Sequence, residues 1–401
     1  MKNKLQVLFV AAALGAATSA FAQSQPGTQG AAPSGPAGFP VGPMTAYPGI
    51  DLAVGHDDNL FLRQTNARSS DFTVLSPYLR LEGKPGPHRF DLTFRLDDGR
   101  YHQSEADSYT DYFLLGNGDF VFTGRAGLKL RAEFRHGHDP RGSTDRAASA
   151  TPDEWDNSGI DGVFRYGAPG ARGRIEVDAG AFRRRYTNNR VTTAASDRDT
   201  SQLGGTFFWR VMPKTELLAK LGWRDINYQL TGSTQSSTEN LFHVGVKWEA
   251  TAATTGLASF GRTKKDFDSA TRQDDSYTSW NVGVRWSPRT YSVFDFVTTR
   301  QSTESSGLGD SILSSNYGVT WNHAWSSRLR TTALANFRND DYRGVGVTRS
   351  DDTTSFGLKV AYDFRRWLRL GAEYTYFDRD SNTTGFDYKR NLYLFTAGFT
   401  L

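Results

Sequence analysis

The chain has 401 residues, of which 37% are hydrophobic, 22% are charged and 13% are aromatic, and it contains 40 glycines. It has no cysteine, which excludes disulfide frameworks, cysteine-based metal sites, thiol catalysis and a lipidated N-terminal cysteine. The formal net charge is +4, from 47 Lys and Arg against 43 Asp and Glu, and this balance argues against a nucleic-acid-binding domain with a concentrated basic face.

Residues 1–22 have the pattern of an export signal. Lys2 and Lys4 precede a short apolar stretch over residues 5–17, and Ala20-Phe21-Ala22 fits a small-x-small cleavage site before Gln23. The apolar stretch is too short to remain as a membrane-spanning helix, and no later segment approaches eighteen consecutive apolar residues. We therefore expect cleavage before Gln23, which lowers the net charge to about +2, and we expect no helical membrane span.

Residues 23–46 are predicted to be a disordered periplasmic linker. Prolines and glycines recur through this segment, from Pro26-Gly27 to Gly42-Pro43. A segment of this composition cannot bury enough apolar surface to fold by itself. We expect the folded domain to begin at Tyr47 and to continue to Leu401.

From Tyr47 onward the chain consists of alternating stretches, in which apolar residues occupy every second position and polar or charged residues fill the gaps. The clearest of these stretches cover residues 90–96, 128–134, 242–248, 280–286, 317–321, 356–364 and 368–376. A period of two predicts strands with one apolar face. That face could form the thin core of a soluble sandwich or could contact lipid around a transmembrane barrel with a wet interior, and periodicity alone does not separate the two.

The connections between the stretches alternate strictly between short and long. The short ones include residues 83–87, 212–215, 287–290 and 326–328, and the long polar ones include residues 139–153, 187–199, 230–239, 302–314 and 379–387. Outer-membrane barrels have this order because tight periplasmic turns alternate with longer extracellular loops, whereas a sandwich has no reason to keep it.

A second regularity concerns tryptophan, which recurs next to the short turns at intervals of about forty residues. These residues are Trp209, Trp248, Trp286, Trp325 and Trp367. An aromatic residue that returns to the same level once per strand pair predicts a girdle at one membrane interface. A β-propeller has repeats of similar length, but its blades contain four short strands, and each unit here holds two strands of about ten residues or more.

The end of the sequence alternates without interruption. Tyr393, Phe395, Phe399 and Leu401 lie on one apolar face. This ending resembles the C-terminal signal of bacterial outer-membrane barrels, in which the last strand closes the barrel. We therefore predict an all-β protein: a transmembrane, antiparallel, up-and-down β-barrel of about 18 strands (16–18) in the bacterial outer membrane, with periplasmic N and C termini.

Several local motifs resemble one family of such barrels. They are Gly55-His56-Asp57-Asp58-Asn59-Leu60-Phe61, Leu75-Ser76-Pro77, Gly99-Arg100-Tyr101, Tyr109-Thr110-Asp111-Tyr112 and His136-Gly137-His138-Asp139-Pro140-Arg141-Gly142. The chain is similar to the second family labelled putative β-barrel porin, which is found in exopolysaccharide and capsule gene clusters. The resemblance implies an outer-membrane channel associated with polysaccharide secretion, and it transfers no catalytic or binding residues.

Cations at polar positions of the predicted strands are candidates for the channel wall. Lys129, Arg131, Arg135, Arg210, Lys220 and Arg224 are predicted to face the lumen, and Arg183 and Arg185 are predicted to lie near the extracellular mouth. Cationic walls favour an anionic solute such as a uronic-acid polymer. The alternative is a lumen lined by both signs, because carboxylates such as Asp91 and Glu133 are expected beside these cations.

Nothing in the sequence predicts an enzyme. It contains no Gly-x-Ser-x-Gly elbow, no His-Glu-x-x-His motif and no phosphate loop. His136 and His138 could share a strand face, but no third metal ligand stands nearby in sequence, so we predict no metal and no cofactor.

We therefore predict a passive conduit for a secreted exopolysaccharide. The alternatives are a general or nutrient-uptake diffusion porin and a structural or assembly barrel with a plugged lumen. The expected partners are outer-membrane lipid, the barrel-assembly machinery, the polysaccharide itself and a separate periplasmic polysaccharide-export protein, since the chain shows no helical-repeat domain of its own. No nucleic-acid partner is expected.

Overall fold

The computed structural model describes residues 38–147, 149–249 and 253–401. The predicted export signal and most of the predicted linker lie outside the described residues. In the described part nearly every residue outside the connections belongs to a strand, and no helix there is long and apolar enough to cross a membrane.

The strands follow one another along the chain, and one short α-helix lies between them in the described residues. They are β1 (Phe39–Val41), β2 (Met44–Asp57), β3 (Ser70–Gly83), β4 (Arg89–Tyr101), β5 (Tyr109–Val121), β6 (Ala126–Asp139), β7 (Asp153–Tyr166), β8 (Gly173–Tyr186), β9 (Arg198–Met212), β10 (Thr215–Tyr228), β11 (Ser237–Trp248), β12 (Thr254–Phe267), β13 (Asp275–Arg289), β14 (Ser292–Thr303), β15 (Ser311–Ala324), β16 (Leu329–Arg343), β17 (Ser350–Arg365), β18 (Leu368–Ser381) and β19 (Tyr388–Thr400). The helix α1 (Arg190–Thr193) and 3₁₀ turns at Glu105–Asp107 and Ala194–Ser196 lie in the connections.

Strands β2 to β19 form one closed antiparallel barrel of 18 strands. Each strand pairs with the next in sequence, and β19 pairs back onto β2, with Thr400 opposite Gly49 and Leu392 opposite Asp57. Closure gives every strand two hydrogen-bonded neighbours, so the sheet has no exposed edge. The predicted all-β, up-and-down barrel and its strand number are confirmed.

The start of the barrel differs from the prediction. Strand β2 begins at Met44 instead of Tyr47, and β1 pairs with it, so the end of the predicted linker is part of the sheet. Gly42 has a φ of +58°, a conformation that glycine adopts without strain, and it forms a tight turn with Pro43 that folds β1 back onto β2. At Gly42 and Pro43 the proline and glycine of the predicted linker thus form a turn between two strands.

The two faces of the barrel differ as the period of two requires. One face presents a continuous band of exposed apolar residues, such as Val244, Phe260, Phe296 and Leu358. Register keeps these residues side by side: Val244 lies opposite Phe260, which lies opposite Trp280. The intervening residues are mostly polar, charged or small and form the other face.

The nine long connections gather at one end of the barrel and are named L1 to L9 here. They are L1 (58–69), L2 (102–108), L3 (140–152), L4 (187–197), L5 (229–236), L6 (268–274), L7 (304–310), L8 (344–349) and L9 (382–387). The short turns occupy the opposite end, where β2 begins and β19 ends.

Most of the buried aromatic residues lie near the long-loop end, on the polar face. We call them the inner aromatic set: Phe72, Trp155, Tyr186, Tyr228, Tyr277, Tyr342 and Tyr388. Each of them has the sequence parity of the polar residues of its strand, and each is less than a tenth exposed. Side chains from the loops and neighbouring strands bury them there, and a second buried apolar cluster, Phe208, Leu218 and Leu257, lies on the inner wall towards the short turns.

Candidate functional site: a loop bridge across the barrel mouth

Two long loops from opposite sides of the barrel meet over its mouth. L3 connects β6 to β7 and L7 connects β14 to β15, which stand eight strands further round a ring of 18. The Asp145 backbone N–H in L3 donates to the Ser306 hydroxyl oxygen of L7 at 3.1 Å. The Asp145 carboxylate also accepts a hydrogen bond from Arg349 of L8 at 2.6 Å. We call L3, L7 and Arg349 the loop bridge.

Arg349 holds the far end of the bridge. Its side chain is 2% exposed and donates to the Asp351 carboxylate at 2.9 and 2.5 Å. Its guanidinium lies 3.6 Å from the centre of the Phe386 ring in L9 and 4.3 Å from that of Tyr342. Burial alone would lower the pKa of Arg349, but the hydrogen bonds that it donates to Asp351 and the charge of Asp145 outweigh burial, so the pKa is raised and the group stays charged.

Arg146 holds the near end. It donates to Asp139 at 2.7 Å and to Asp153 at 2.9 Å, the residues that end β6 and begin β7. Its guanidinium also lies 4.5 Å from the centre of the Tyr186 ring. Burial opposes the charged form of Arg146, but Tyr186, Asp139 and Asp153 together raise its pKa.

The crossing is therefore fixed by two consecutive residues of opposite charge, Asp145 and Arg146, that bind opposite walls of the barrel. Asp139, the partner of Arg146, and Asp351, the partner of Arg349, have the parity of the polar face. Contacts that join opposite walls are made from within the ring of strands, so the polar face is the inner one and the apolar band is the outer one.

L7 has a second anchor on the inner wall. Glu304 accepts hydrogen bonds from Lys265 at 2.6 Å and from the Tyr228 hydroxyl at 2.9 Å, and Lys265 also contacts Glu239 at 3.3 Å. Burial raises the pKa of Glu304, but the positive charges of Lys265 and Arg198 outweigh it and leave the pKa below its usual value. Glu304 is therefore ionised at neutral pH and ties L7 to strands β10 to β12.

The structure divides the predicted lumen cations between the two faces. Lys129, Arg131, Arg135, Arg210, Lys220 and Arg224 have inner parity, because their neighbours in sequence belong to the outer apolar band. Arg183 and Arg185 share the face of Ile175 and Val177, which is the outer face, and this differs from the channel-wall placement predicted for them. Arg184, which lies between them, points inward and donates to Asp139 at 3.1 Å.

Several of the inner cations have carboxylate partners. Arg131 pairs with Glu133 at 2.5 Å, Arg210 with Glu216 at 3.3 Å, and Arg224 with Glu239. Lys220 forms no ion pair with any other described residue. The inner wall thus carries both positive and negative side chains. A local excess of positive charge arises where a cation such as Lys220 has no carboxylate partner among the described residues.

Charge is unevenly distributed round the inner wall. On β8 to β12 cations outnumber carboxylates: Arg174, Arg184, Arg198, Arg210, Lys220, Arg224, Lys247 and Lys265 stand against Glu176, Asp178, Glu216 and Glu239. On β2 to β5 the balance is reversed: Asp51, Asp57, Glu82, Asp91, Asp97, Asp111 and Asp119 stand against Arg80, Arg89 and Arg95. A low-dielectric wall focuses such a difference into a field across the lumen.

The predicted tryptophan girdle lies at the short-turn end. Trp209, Trp248 and Trp286 have outer parity close to the ends of their strands, and Trp325 and Trp367 lie in the turns themselves. Stacked rings continue the girdle, as between Trp367 and Phe399, whose centroids are 6.2 Å apart.

The predicted C-terminal barrel signal lies on β19 and just after it. Tyr393, Phe395 and Phe399 face outward along this strand, and Leu401 follows it directly.

The histidines do not assemble a metal site. His136 contacts Asp156 at 2.7 Å and His138 contacts Asp111 at 2.9 Å, so the two rings have separate partners. Within the described residues, no group of three His, Asp or Glu side chains is arranged to hold a metal ion.

Sequence reasoning missed the bridge residues Asp145, Arg146, Glu304 and Arg349. The available signal was the Asp145-Arg146 pair inside a long polar loop. Such a pair shows that charges are present in the loop but does not identify the residues that they contact. Asp145 and Arg349 are 204 positions apart, and no periodic pattern connects them.

Comparisons with known proteins agree with this architecture. Residues 32–398 match the family described as putative beta-barrel porin 2. No curated protein matches the sequence. Among solved structures, the outer membrane protein OpdK from Pseudomonas aeruginosa is similar at 11% identity, with a TM-score of 0.50 and coverage of 89% of this chain and 99% of that one.

Two further structures from the same organism are similar. The complex of OpdK with vanillate has 10% identity and a TM-score of 0.51, with coverage of 89% of this chain and 99% of that one. OccK3 (OpdO) has 12% identity and a TM-score of 0.49, with coverage of 89% and 96%. At these identities the likeness to OpdK shows the shared barrel fold alone.

Proposed function

The chain belongs to the putative beta-barrel porin 2 family and is an outer-membrane β-barrel channel, and on this premise we propose that it is a passive conduit for a secreted, anionic polysaccharide. The long-loop end then faces the outside of the cell. The short turns, the start of β2 and the end of β19 face the periplasm. The Pro/Gly-rich segment would lie on the periplasmic side, where a polysaccharide-export protein could deliver the polymer.

The observation that carries this proposal is the charge of the inner wall. The cationic sector over β8 to β12 includes Lys220 near mid-strand, without an ion-pair partner in the described residues, and Lys247 near the short-turn end of β11. A polymer of uronic acids would be attracted to such a sector along the height of the barrel. Selection would then depend on lumen width and wall charge, without any chemical step.

A second candidate function is a diffusion channel for small solutes, and the loop bridge is the observation that favours it. A mouth crossed by L3 and L7 admits a small molecule on either side of the crossing more readily than a bulky branched polymer. The polysaccharide proposal therefore requires a polymer that passes as a single extended chain or a bridge that opens.

Planar-bilayer recordings test the charge argument. In recordings of the purified wild-type barrel, oligomers of glucuronic acid should reduce the current more than neutral oligomers of the same length, because the cationic sector over β8 to β12 attracts them. Lys220→Glu combined with Lys247→Glu should shift the reversal potential towards cations. The matched control is Arg183→Glu with Arg185→Glu, which alters the outer face and should leave selectivity unchanged.

A cellular measurement separates the two candidates. Deleting the gene should reduce the mass of secreted polysaccharide, and restoring the wild-type gene should return it. An unchanged yield in the deletion strain, together with conductance of the purified barrel, would favour the small-solute channel. Absence of conductance even after removal of the L3 crossing would contradict both and support a structural barrel.

A further inference from the structure

The outer face carries a cationic sector on β12 and β14 that the channel function does not use. It consists of Arg262 and Lys264 on β12 and Arg300 on β14, which flank the outer residues Ser276, Thr278 and Trp280 of β13. Register fixes their arrangement: Arg262 lies opposite Thr278, Lys264 opposite Ser276, and Arg300 opposite Trp280. Arg262 and Arg300 are two strands apart and offset by two residues along the strands, so their Cα atoms are about 12 Å apart.

This sector lies on the long-loop side of the apolar band, because Arg262, Lys264 and Arg300 are five, three and three residues from the long-loop ends of their strands. Phe260, two residues before Arg262, and its register partner Val244 are exposed on the outer face, and Trp280 is the outer aromatic of β13 on the long-loop side of Trp286. Arg300 packs its guanidinium 5.4 Å from the centre of the Trp280 ring. Side chains at such a level place their apolar stems against acyl chains and their charges among headgroups.

The cations of this sector are incompletely partnered within the protein. Arg262 donates to the Ser276 hydroxyl at 3.2 Å, and neither Arg262 nor Arg300 forms an ion pair with a carboxylate among the described residues. Lys264 contacts Asp266 at 2.5 Å, with Asp274 nearby. The two arginines thus retain donors for an acceptor that comes from outside the chain.

The neighbouring outer surface makes this sector distinct. Outer positions of β11 and β15 at this level are uncharged, as at Thr238, Asn240 and Ser315. Elsewhere on the described outer face at the long-loop end, cations stand beside carboxylates, as in the pairs Arg100–Asp98, Arg185–Asp199, Arg343–Asp341 and Lys389–Asp378. A phosphate at the level of the headgroups meets an excess of cations at β12 to β14, where Asp266 is the one outer carboxylate of the strands, and paired charges at these other places.

We propose that Arg262, Lys264 and Arg300 form a binding site for the phosphorylated headgroup of an outer-leaflet lipid. The guanidinium groups bind phosphate oxygens through charge-assisted hydrogen bonds, Ser276 and Thr278 offer hydroxyl groups between them, and the acyl chains cover Phe260 and Val244. The site depends on the outward orientation of the long loops and is independent of what passes through the lumen.

Native mass spectrometry of the full barrel tests the site. The protein is refolded in phosphatidylcholine vesicles with bisphosphorylated lipid A or with the same lipid after removal of both phosphates, and the lipid retained after detergent extraction is measured. Wild type should retain the phosphorylated lipid, whereas combined Arg262→Ser, Lys264→Ser and Arg300→Ser should weaken retention by one to two orders of magnitude, roughly. The control Arg183→Ser with Arg185→Ser, on another part of the outer face, should retain it like wild type.

Three results would overturn the proposal. They are retention by the triple variant equal to wild type, equal retention of the dephosphorylated lipid, and loss of the phosphorylated lipid in the control variant. Inorganic phosphate added in large excess should not displace the lipid, and displacement would instead identify a site for free phosphate. Gel mobility before and after heating verifies that each variant is folded, and conductance of the triple variant should remain that of wild type.

Discussion

The two ends of the barrel use aromatic residues in opposite ways. At the short-turn end Trp286, Trp325 and Trp367 point outward, and each is 43–59% exposed. At the long-loop end Tyr186 and Tyr342 point inward and are buried beneath loops. The outward rings suit a membrane interface, where an aromatic side chain has one apolar and one wet side. The inward rings instead contact the arginines that hold the loop bridge, Tyr186 under Arg146 and Tyr342 under Arg349.

Ion pairs also differ between the loop bridge and the outer face. At the loop bridge Arg146 and Arg349 are almost fully buried, and each contacts two carboxylates. On the outer face, ion pairs are exposed, as between Arg343 and Asp341 at 3.6 Å. Buried pairs are expensive to break because the remaining partner stays desolvated, whereas exposed pairs contribute little. The mouth is therefore where single substitutions should have the largest effect on loop order.

Arg349→Met is the substitution that should disturb this end most. Asp145 and Asp351 would remain buried without their cation, at a cost of about 3–5 kcal/mol to the local structure. L3 and L8 should then become accessible to protease while the strands remain folded. Limited proteolysis with identification of the cleavage sites measures this effect.

The control for that experiment is Arg343→Gln, which removes an exposed guanidinium at the end of β16. Its expected cost is about 0–1 kcal/mol. Equal cleavage of L3 in both variants would show that the buried contacts of Arg349 do not hold the bridge.

Two valines of similar exposure, one on each face of the barrel wall, are matched positions for testing which face contacts lipid. Val244 on the outer face is 51% exposed and Val297 on the inner face is 46% exposed. Val244→Arg should destabilise the folded barrel by about 2–4 kcal/mol, because the cation enters lipid near the bilayer midplane. Val297→Arg should cost far less, since its register partner Gly283 borders open space: a Cβ there would meet no atom within 4 Å.

Reversible unfolding in lipid vesicles gives both free energies. The neighbour of Val244 is an unsuitable inner-face control, because His243 is buried and bonded to Ser259 and Ser279. Similar losses for Val244→Arg and Val297→Arg would contradict the assignment of the outer face to lipid.

Acid should loosen L7 before it affects the short-turn end. The pKa of Glu304 is lower in the folded protein than its usual value of 4.5. Stability from this carboxylate is therefore complete above the unfolded value and is lost as the pH falls through the lowered folded value. Amide exchange of L7, corrected for the intrinsic rate, should rise in that window. Glu304→Gln should remove the pH step, and a step of the same size in that variant would assign it to another group.

The sequence predicted the parts of the molecule that depend on local periodicity. Alternation, turn length and the tryptophan spacing were sufficient for the barrel, its strand number and the inner parity of Lys220 and Arg224. In a strand, consecutive side chains point to opposite faces, so Arg184 faces inward while Arg183 and Arg185 face outward. The sequence prediction treated the three arginines as one cluster and therefore placed Arg183 and Arg185 on the channel wall. Contacts of the bridge were out of reach, because a loop partner 204 positions away leaves no local pattern.

The most direct test of the bridge uses the absence of native cysteine. Thr144→Cys combined with Ser306→Cys places two thiols where L3 meets L7, beside the 3.1 Å hydrogen bond from the Asp145 N–H to residue 306, and it keeps the side chains of Asp145 and Arg349. Mild oxidation of the folded barrel should join the two thiols, as peptide mapping would detect. Thr144→Cys combined with Gly232→Cys, in L5, should stay largely reduced. Failure of the 144–306 link in a barrel shown to be folded would contradict a loop that crosses the mouth.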